Sequence, residues 1–244
     1  MKFIIIILIF LISSCTTVNN IERDVNYIER DIKEFNINPQ VGLNSGSRTT
    51  INNENKVDIL KTIKFEEDKK KLIKNIWLYI RGRYRKGEIT NGAYVRDINE
   101  IIESKEIKHC GESGAMLVGL FRLYGIPCIY IQGLNIRGAN DLNLNHWSGH
   151  VFIEIYINNE YYLIDSTRGI AFKNYDLSNR IIPIKIENFA DNGFVEMFRC
   201  FDVGNLIESQ ESYSNYLSET RNYYIKFGKT PKEYLYGEKI MTDW

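Results

Sequence analysis

The chain has 244 residues, 44% of them hydrophobic, and its 31 Lys plus Arg are balanced by 31 Asp plus Glu. That length holds one domain of ordinary size plus extensions, and the apolar fraction suffices for a real core. A formal charge of zero argues against a nucleic-acid partner, because phosphate binding draws on a basic surplus or a basic patch.

The N-terminus opens with Lys2, an apolar run from Phe3 to Ile12, and then Ser13, Ser14 and Cys15. A membrane-spanning helix needs about 20 apolar residues, so this run is too short and reads as a secretory signal. Ile12-Ser13-Ser14-Cys15 resembles the lipobox of bacterial lipoproteins. The resemblance implies cleavage before Cys15, lipidation of its thiol, and an exported protein held on a membrane of the bacterial envelope. Several acyl chains, at roughly 0.8 kcal/mol per buried methylene, make such an anchor firm.

Residues 16–56 read as a tether. Ile21, Val25, Ile28, Ile32 and Phe35 repeat at 4-3-4-3 spacing, which predicts a short amphipathic helix. Asn36 to Asn55 is rich in Asn, Ser, Gly and Thr and reads as a linker. The folded domain is expected from about Val57, with its core over 57–175 and an extension, 176–244, that completes or flanks it.

Within the core, Ile73, Ile76, Trp77 and Ile80 mark a helix that Gly82 and Gly87 break, and Val95, Ile98, Ile101 and Ile102 mark a second. The run HCGESGAMLVGLFRLYGIP predicts a helix opening at Cys110, apolar on nearly all sides and therefore central, and ended by Gly125 and Pro127. Cys128 to Leu134 reads as a buried strand and Asn135 to Gly149 as a loop. From His150, Val and Ile alternate with other residues, so His150 lies on the face opposite the Val/Ile row. A turn at Asn158-Asn159 leads antiparallel into Tyr161 to Asp165. Ile181 to Ile186 reads as a strand. Tyr213, Tyr216, Leu217, Tyr223 and Tyr224 suggest a late helix whose aromatic face serves packing.

With Cys15 set aside, Cys110, Cys128 and Cys200 remain. Three thiols cannot all pair and no CxxC knuckle is present, so neither a disulfide framework nor a metal knuckle is expected. Cys128 and Cys200, in apolar surroundings, read as core residues. Cys110 differs: its neighbours Lys108, His109 and Glu112 are polar, and a helix N-terminus favours a thiolate. His150 and Asp165 face each other across the predicted hairpin, at similar distances from its turn. Cross-strand neighbours come within side-chain reach, so the carboxylate would fix the tautomer and orientation of the imidazole.

Three other motifs fail. Gly111 to Ala115, GESGA, mimics a serine nucleophile elbow, but the final Gly is missing and no His follows Asp165. His146 and His150, with His109 or Cys110, lack a metalloprotease pattern for zinc. Asp141, Asn143 and Asn145 start like a calcium loop, but His146 stands where Gly is needed and Phe152 where the bidentate Glu belongs. Neither a cofactor nor a metal is expected.

The span from about Leu72 to Thr167 resembles the transglutaminase-like superfamily, papain-like in its catalytic core. The resemblance rests on Cys110 leading into an apolar helix, Gly125-Ile126-Pro127 at its end, Gly149-His150-Val151-Phe152-Ile153-Glu154 opening a strand, and Tyr161 followed by Asp165. The chain departs from the family pattern at His109 (usually Gly), Val151 and Phe152 (Ala and Trp), Tyr161 (Trp), Cys128-Ile129 (Ala-Arg) and Ser166 (Pro). The resemblance implies an α+β fold, with helices packed on an antiparallel sheet and the nucleophile at the N-terminus of the central helix. It implies acyl chemistry on a peptide or protein substrate through a Cys110 thioester, with His150 as base and Asp165 as orienter. The oxyanion would meet the Cys110 backbone N–H and one upstream donor, assigned here to Tyr84. The alternative it implies is an inactive binding module of the envelope.

Overall fold

The computed structural model describes residues 38–44, 46–89, 95–137, 149–174, 176, 179–186, 192–203, 210–227 and 231–244. The amphipathic stretch 21–35, Cys15, Asp141 to Asn145 and His146 lie outside them.

Local sequence sets the helix starts. Helices α1 (Asn53–Thr62), α2 (Lys69–Arg83) and α3 (Ile98–Ser104) are each preceded by a side chain that accepts from first-turn N–H groups: Asn52, Asp68 and Asp97. Gly82 lies inside the last turn of α2 and does not break it: one glycine costs about 1 kcal/mol in a helix, and the buried face from Leu72 to Ile80 holds the helix to Arg83. Short strands β1 (Arg85–Lys86) and β2 (Glu106–Ile107) pair in parallel and lead the chain to α4 (Cys110–Leu123).

Helix α4 is buried from Gly111 to Arg122. Two glycines let it approach its neighbours closely. A β-carbon at position 114 would stand 2.5 Å from Val151 and 2.8 Å from Tyr130; one at 119 would stand 2.2 Å from Ile98. The helix closes as a Schellman motif, with Gly125 at φ 69° and the Ile126 N–H donating to the Phe121 carbonyl at 2.8 Å.

The sheet comprises β3 (Cys128–Asn135), β4 (Gly149–Ile157), β5 (Glu160–Asp165), β6 (Ile170–Phe172), β7 (Ile181–Ile182), β8 (Phe194–Cys200) and β9 (Glu238–Lys239). Their spatial order is β7-β8-β3-β4-β5-β6-β9, and every neighbouring pair is antiparallel. One face carries Tyr130, Val151, Ile153, Ile155 and Ile164 against the helices. The other carries Ile129, Ile131, Phe152, Leu163 and Phe194, packed with Ile182 and Ile184. Cover on both faces explains why β3 is buried at every residue. This is the expected α+β architecture. Asn158 and Asn159, at φ 52° and 62°, form a two-residue turn with both central residues left-handed, which fixes Ile157 opposite Glu160 and Phe152 opposite Asp165.

Two expectations change, and the open one for the extension resolves towards completing the domain. The polar stretch read as tether is, in its described part, docked on the domain: Ser47 and the Arg48 N–H bond the Asp202 carboxylate, and the Asn52 N–H bonds Asn99. Buried Arg122 adds a second tie, donating to the carbonyls of Gly42, Cys128 and Phe201 and to Thr49 Oγ1. The extension contributes an inner strand, β8, directly beside β3. Within Ile181–Ile186 only the first two residues form a strand, and Ile184 makes one isolated bridge to Leu235. The late helix is α5 (Gln210–Phe227), and Tyr213, Tyr216, Leu217 and Tyr224 are buried along it.

Candidate active site

Cys110 is the first residue of α4 and is half-buried, whereas Cys128 and Cys200 are inaccessible. Burial pushes the Cys128 thiol up to about 11. The turn before Cys110 is braced. Arg96 forks onto Glu112, Nε to Oε1 at 2.5 Å and Nη2 to Oε2 at 2.9 Å, and Glu112 also accepts the Lys108 N–H. His109 is the helix N-cap, its Nδ1 accepting the Gly111 N–H at 3.1 Å. Ser113, the serine of the elbow-like motif, donates to the Ser166 carbonyl, and Ser166 Oγ donates to the Cys110 carbonyl at 3.2 Å. The residue after Asp165 is therefore stitched to the first turn of α4.

His150 shares its face of β4 with Phe152, away from the helices. The register pairs Phe152 with Asp165, so the carboxylate is a diagonal neighbour of His150 rather than the opposite residue that equal counting from the turn suggests. The ring is 4% exposed, held between Phe152 and Phe194 at centroid distances of 5.1 and 5.7 Å. Its Nε2 lies 3.1 Å from Asp165 Oδ1, and both side chains are buried. The ring's other side-chain hydrogen-bonding partner is the Cys110 thiol.

The electrostatics follow from this placement. Burial lowers the His150 pKa, but the Asp165 charge and the bonds to Asp165 and Cys110 outweigh it and lift the value to about 9. Burial pushes the Asp165 carboxyl up, and the imidazole together with the N–H groups of Thr167 and Arg168 holds it well below the usual carboxylate range. Those two N–H groups and the Thr167 hydroxyl reach Asp165 Oδ1 at 2.8 to 2.9 Å and fix its orientation.

The thiol opens into a cavity of about 460 Å³ whose lining includes Trp77, Tyr84, Tyr130, Gln132, His150 and Tyr213. Tyr84, the expected oxyanion donor, lines this cavity with Cys110, and burial first of all, then its neighbour Tyr79, raises its pKa. The tyrosines whose ionisation the thiol opposes are Tyr130 and Tyr213, both raised first of all by burial. Gln132 is buried on β3 and donates Nε2 to the His150 carbonyl at 3.3 Å. The sequence held a signal for Gln132: it is the polar residue in the middle of the apolar run CIYIQGL. Tyr213 was hidden within an aromatic stripe that mostly packs.

Residues 58–166 match the family model of the transglutaminase-like superfamily. No curated protein matches the chain. Among solved structures, the fold is similar to that of a candidate cysteine protease from Cytophaga hutchinsonii, with 16% identity and a TM-score of 0.46 over 68% of this chain. The match covers 48% of that protein, so this chain spans about half its length. The segment 58–166 is a transglutaminase-like domain.

Proposed function

We propose that this domain is a cysteine-nucleophile amidase or acyltransferase acting on a peptide or isopeptide bond. The observation that carries the reading is the buried His150 ring, which has Asp165 on one side and the Cys110 thiol as its other partner, at the wall of a cavity. His150 takes the Cys110 proton and the sulfur attacks the carbonyl carbon. The carbonyl π pair moves onto oxygen, where the Cys110 N–H and the second Nε2 hydrogen of Gln132 are the donors we assign. Collapse expels the amine, which takes its proton from the imidazolium, and leaves a thioester. Water attacks the thioester with His150 again as base, releasing the acid and restoring the thiol. An amine in place of water gives transfer; hydrolysis is the first choice because water is always present.

Iodoacetamide labelling of the full chain at neutral pH, read peptide by peptide in a mass spectrometer, tests the reading. Cys110 should be alkylated well before Cys128 and Cys200. Equal labelling of the three, or selective protection of Cys110, would sink it.

The proposal includes an exported, lipid-anchored protein. Its support is the lipobox-like sequence at Cys15; no helix among the described residues is long and apolar enough to cross a membrane. Cys15→Ala should abolish incorporation of labelled palmitate during expression in a bacterium; undiminished incorporation would overturn the anchor.

A further inference from the structure

The cavity that holds Cys110 is one-sided in charge. Arg81, Arg85, Lys86, Lys108 and Arg168 all line it, and among the described residues no Asp or Glu does. The whole chain carries as many acids as bases, so this segregation is local. Two of the cations are already engaged: Arg85 bonds Glu106 at 2.6 Å, and Arg168 stands 3.6 Å from Asp165 Oδ2. Arg81, in the last turn of α2, and Lys86, on β1, have no carboxylate partner among the described residues. The same cavity has an apolar share of lining that includes Trp77, Ile80 and Tyr84. A cleft lined by one sign of charge over low-dielectric walls focuses its field and concentrates ligands of opposite sign. A guanidinium and an ammonium lining one cavity suit a carboxylate, the anion that peptides carry.

We infer that the cavity takes an acyl donor with a carboxylate beside the reacting carbonyl, the chemistry of an acidic peptide, held at the rim by Arg81 and Lys86. The inference rests on the reading of Cys110 as nucleophile and adds to it the class of substrate. Arg168 is left out of the assignment because its contact with Asp165 ties it to the triad.

Two peptidyl vinyl sulfones that differ only in Glu against Gln next to the warhead test both levels. The Cys110 sulfur adds to the terminal vinyl carbon and the thiol proton ends on the carbon beside the sulfone, so labelling is a mass increase of the intact chain. At low salt the Glu probe should label roughly tenfold faster, which is the scale of one partly screened charge-assisted contact, and the ratio should shrink as salt is added. In the double variant Arg81→Gln/Lys86→Gln the ratio should approach one. Both side chains are exposed, so the variant keeps the fold. Equal labelling by the two probes, or a Glu preference that survives the double variant, overturns the charge assignment and leaves the nucleophile standing. Failure of both probes to label Cys110 overturns the nucleophile, and the substrate class with it.

Discussion

The segment 58–166 and the segment 192–227 serve one site in different ways. The first carries every side chain assigned to the reaction: Cys110, His150, Asp165 and Gln132. The second carries none of them, yet its Phe194 packs tilted against the His150 ring and its Tyr213 stands close enough to Cys110 for the two ionisations to oppose each other. The difference teaches that reacting groups can lie within one compact stretch of chain while their desolvation comes from a distant one. Burial sets how strongly Asp165 and His150 feel each other, because charges interact more strongly where water is excluded.

The largest test of this division is His150→Ala. Loss of a general base costs about 10²–10⁴ in rate, and alkylation of Cys110 at neutral pH should slow towards the rate of a free thiol while the circular dichroism stays native. An unfolded product would assign His150 to the wall instead. Next comes Phe194→Ala, which removes a fully buried ring and should cost about 3–5 kcal/mol in urea unfolding. A loss below about 1 kcal/mol would show that β8 merely flanks the site.

Asp165→Asn sharpens the electrostatic half. Burial alone lowers the His150 pKa, so without the carboxylate charge the value should fall from about 9 to below its ordinary 6.5, as read from the ring resonances in an NMR titration. The sign for stability follows. The raised His150 contributes fully below pH 6.5 and is lost as pH rises through about 9, whereas the depressed Asp165 contributes above its ordinary range, near 4, and is lost in acid. Stability of the native chain should therefore hold between those limits, and the variant should lose the alkaline fall. The smallest effect is expected for Tyr213→Phe. If α5 only encloses the site, Cys110 alkylation stays within about threefold of the native rate; a drop of about a hundredfold would make the hydroxyl a participant.

The chemistry was more legible than the enclosure. Cys110, His150 and Asp165 announce themselves because each opens or closes an element with a clear period: a helix without a polar face, an alternating strand, and its hairpin partner. Strand β8 gave no such signal. In FVEMFRC, Glu196 and Arg199 interrupt the apolar pattern, and only the structure shows Arg199 bonding Glu196 and Glu154 at 2.6 and 2.7 Å, so that all three charges can be buried. Helix α1 was invisible for a related reason, since Ile59 is its one buried residue. Residues 46–52 looked like linker because their partners, Asp202 and Asn99, are distant in sequence and composition carries no trace of such pairing.

The turn at Asn158-Asn159 has a further consequence for how this hairpin can go wrong. Side chains alternate faces along a strand, so a slip of one residue between β4 and β5 would send Asp165 to the far face of the sheet and strand His150 without its carboxylate. The same slip would carry Leu163 and Ile164 to each other's faces and break both apolar clusters. One ruler, two asparagines long, thus gauges core and chemistry together. A misaligned hairpin cannot yield a well-folded but dead protein: the error that would silence the thiol also unmakes the fold, which exposes such molecules to degradation before they accumulate.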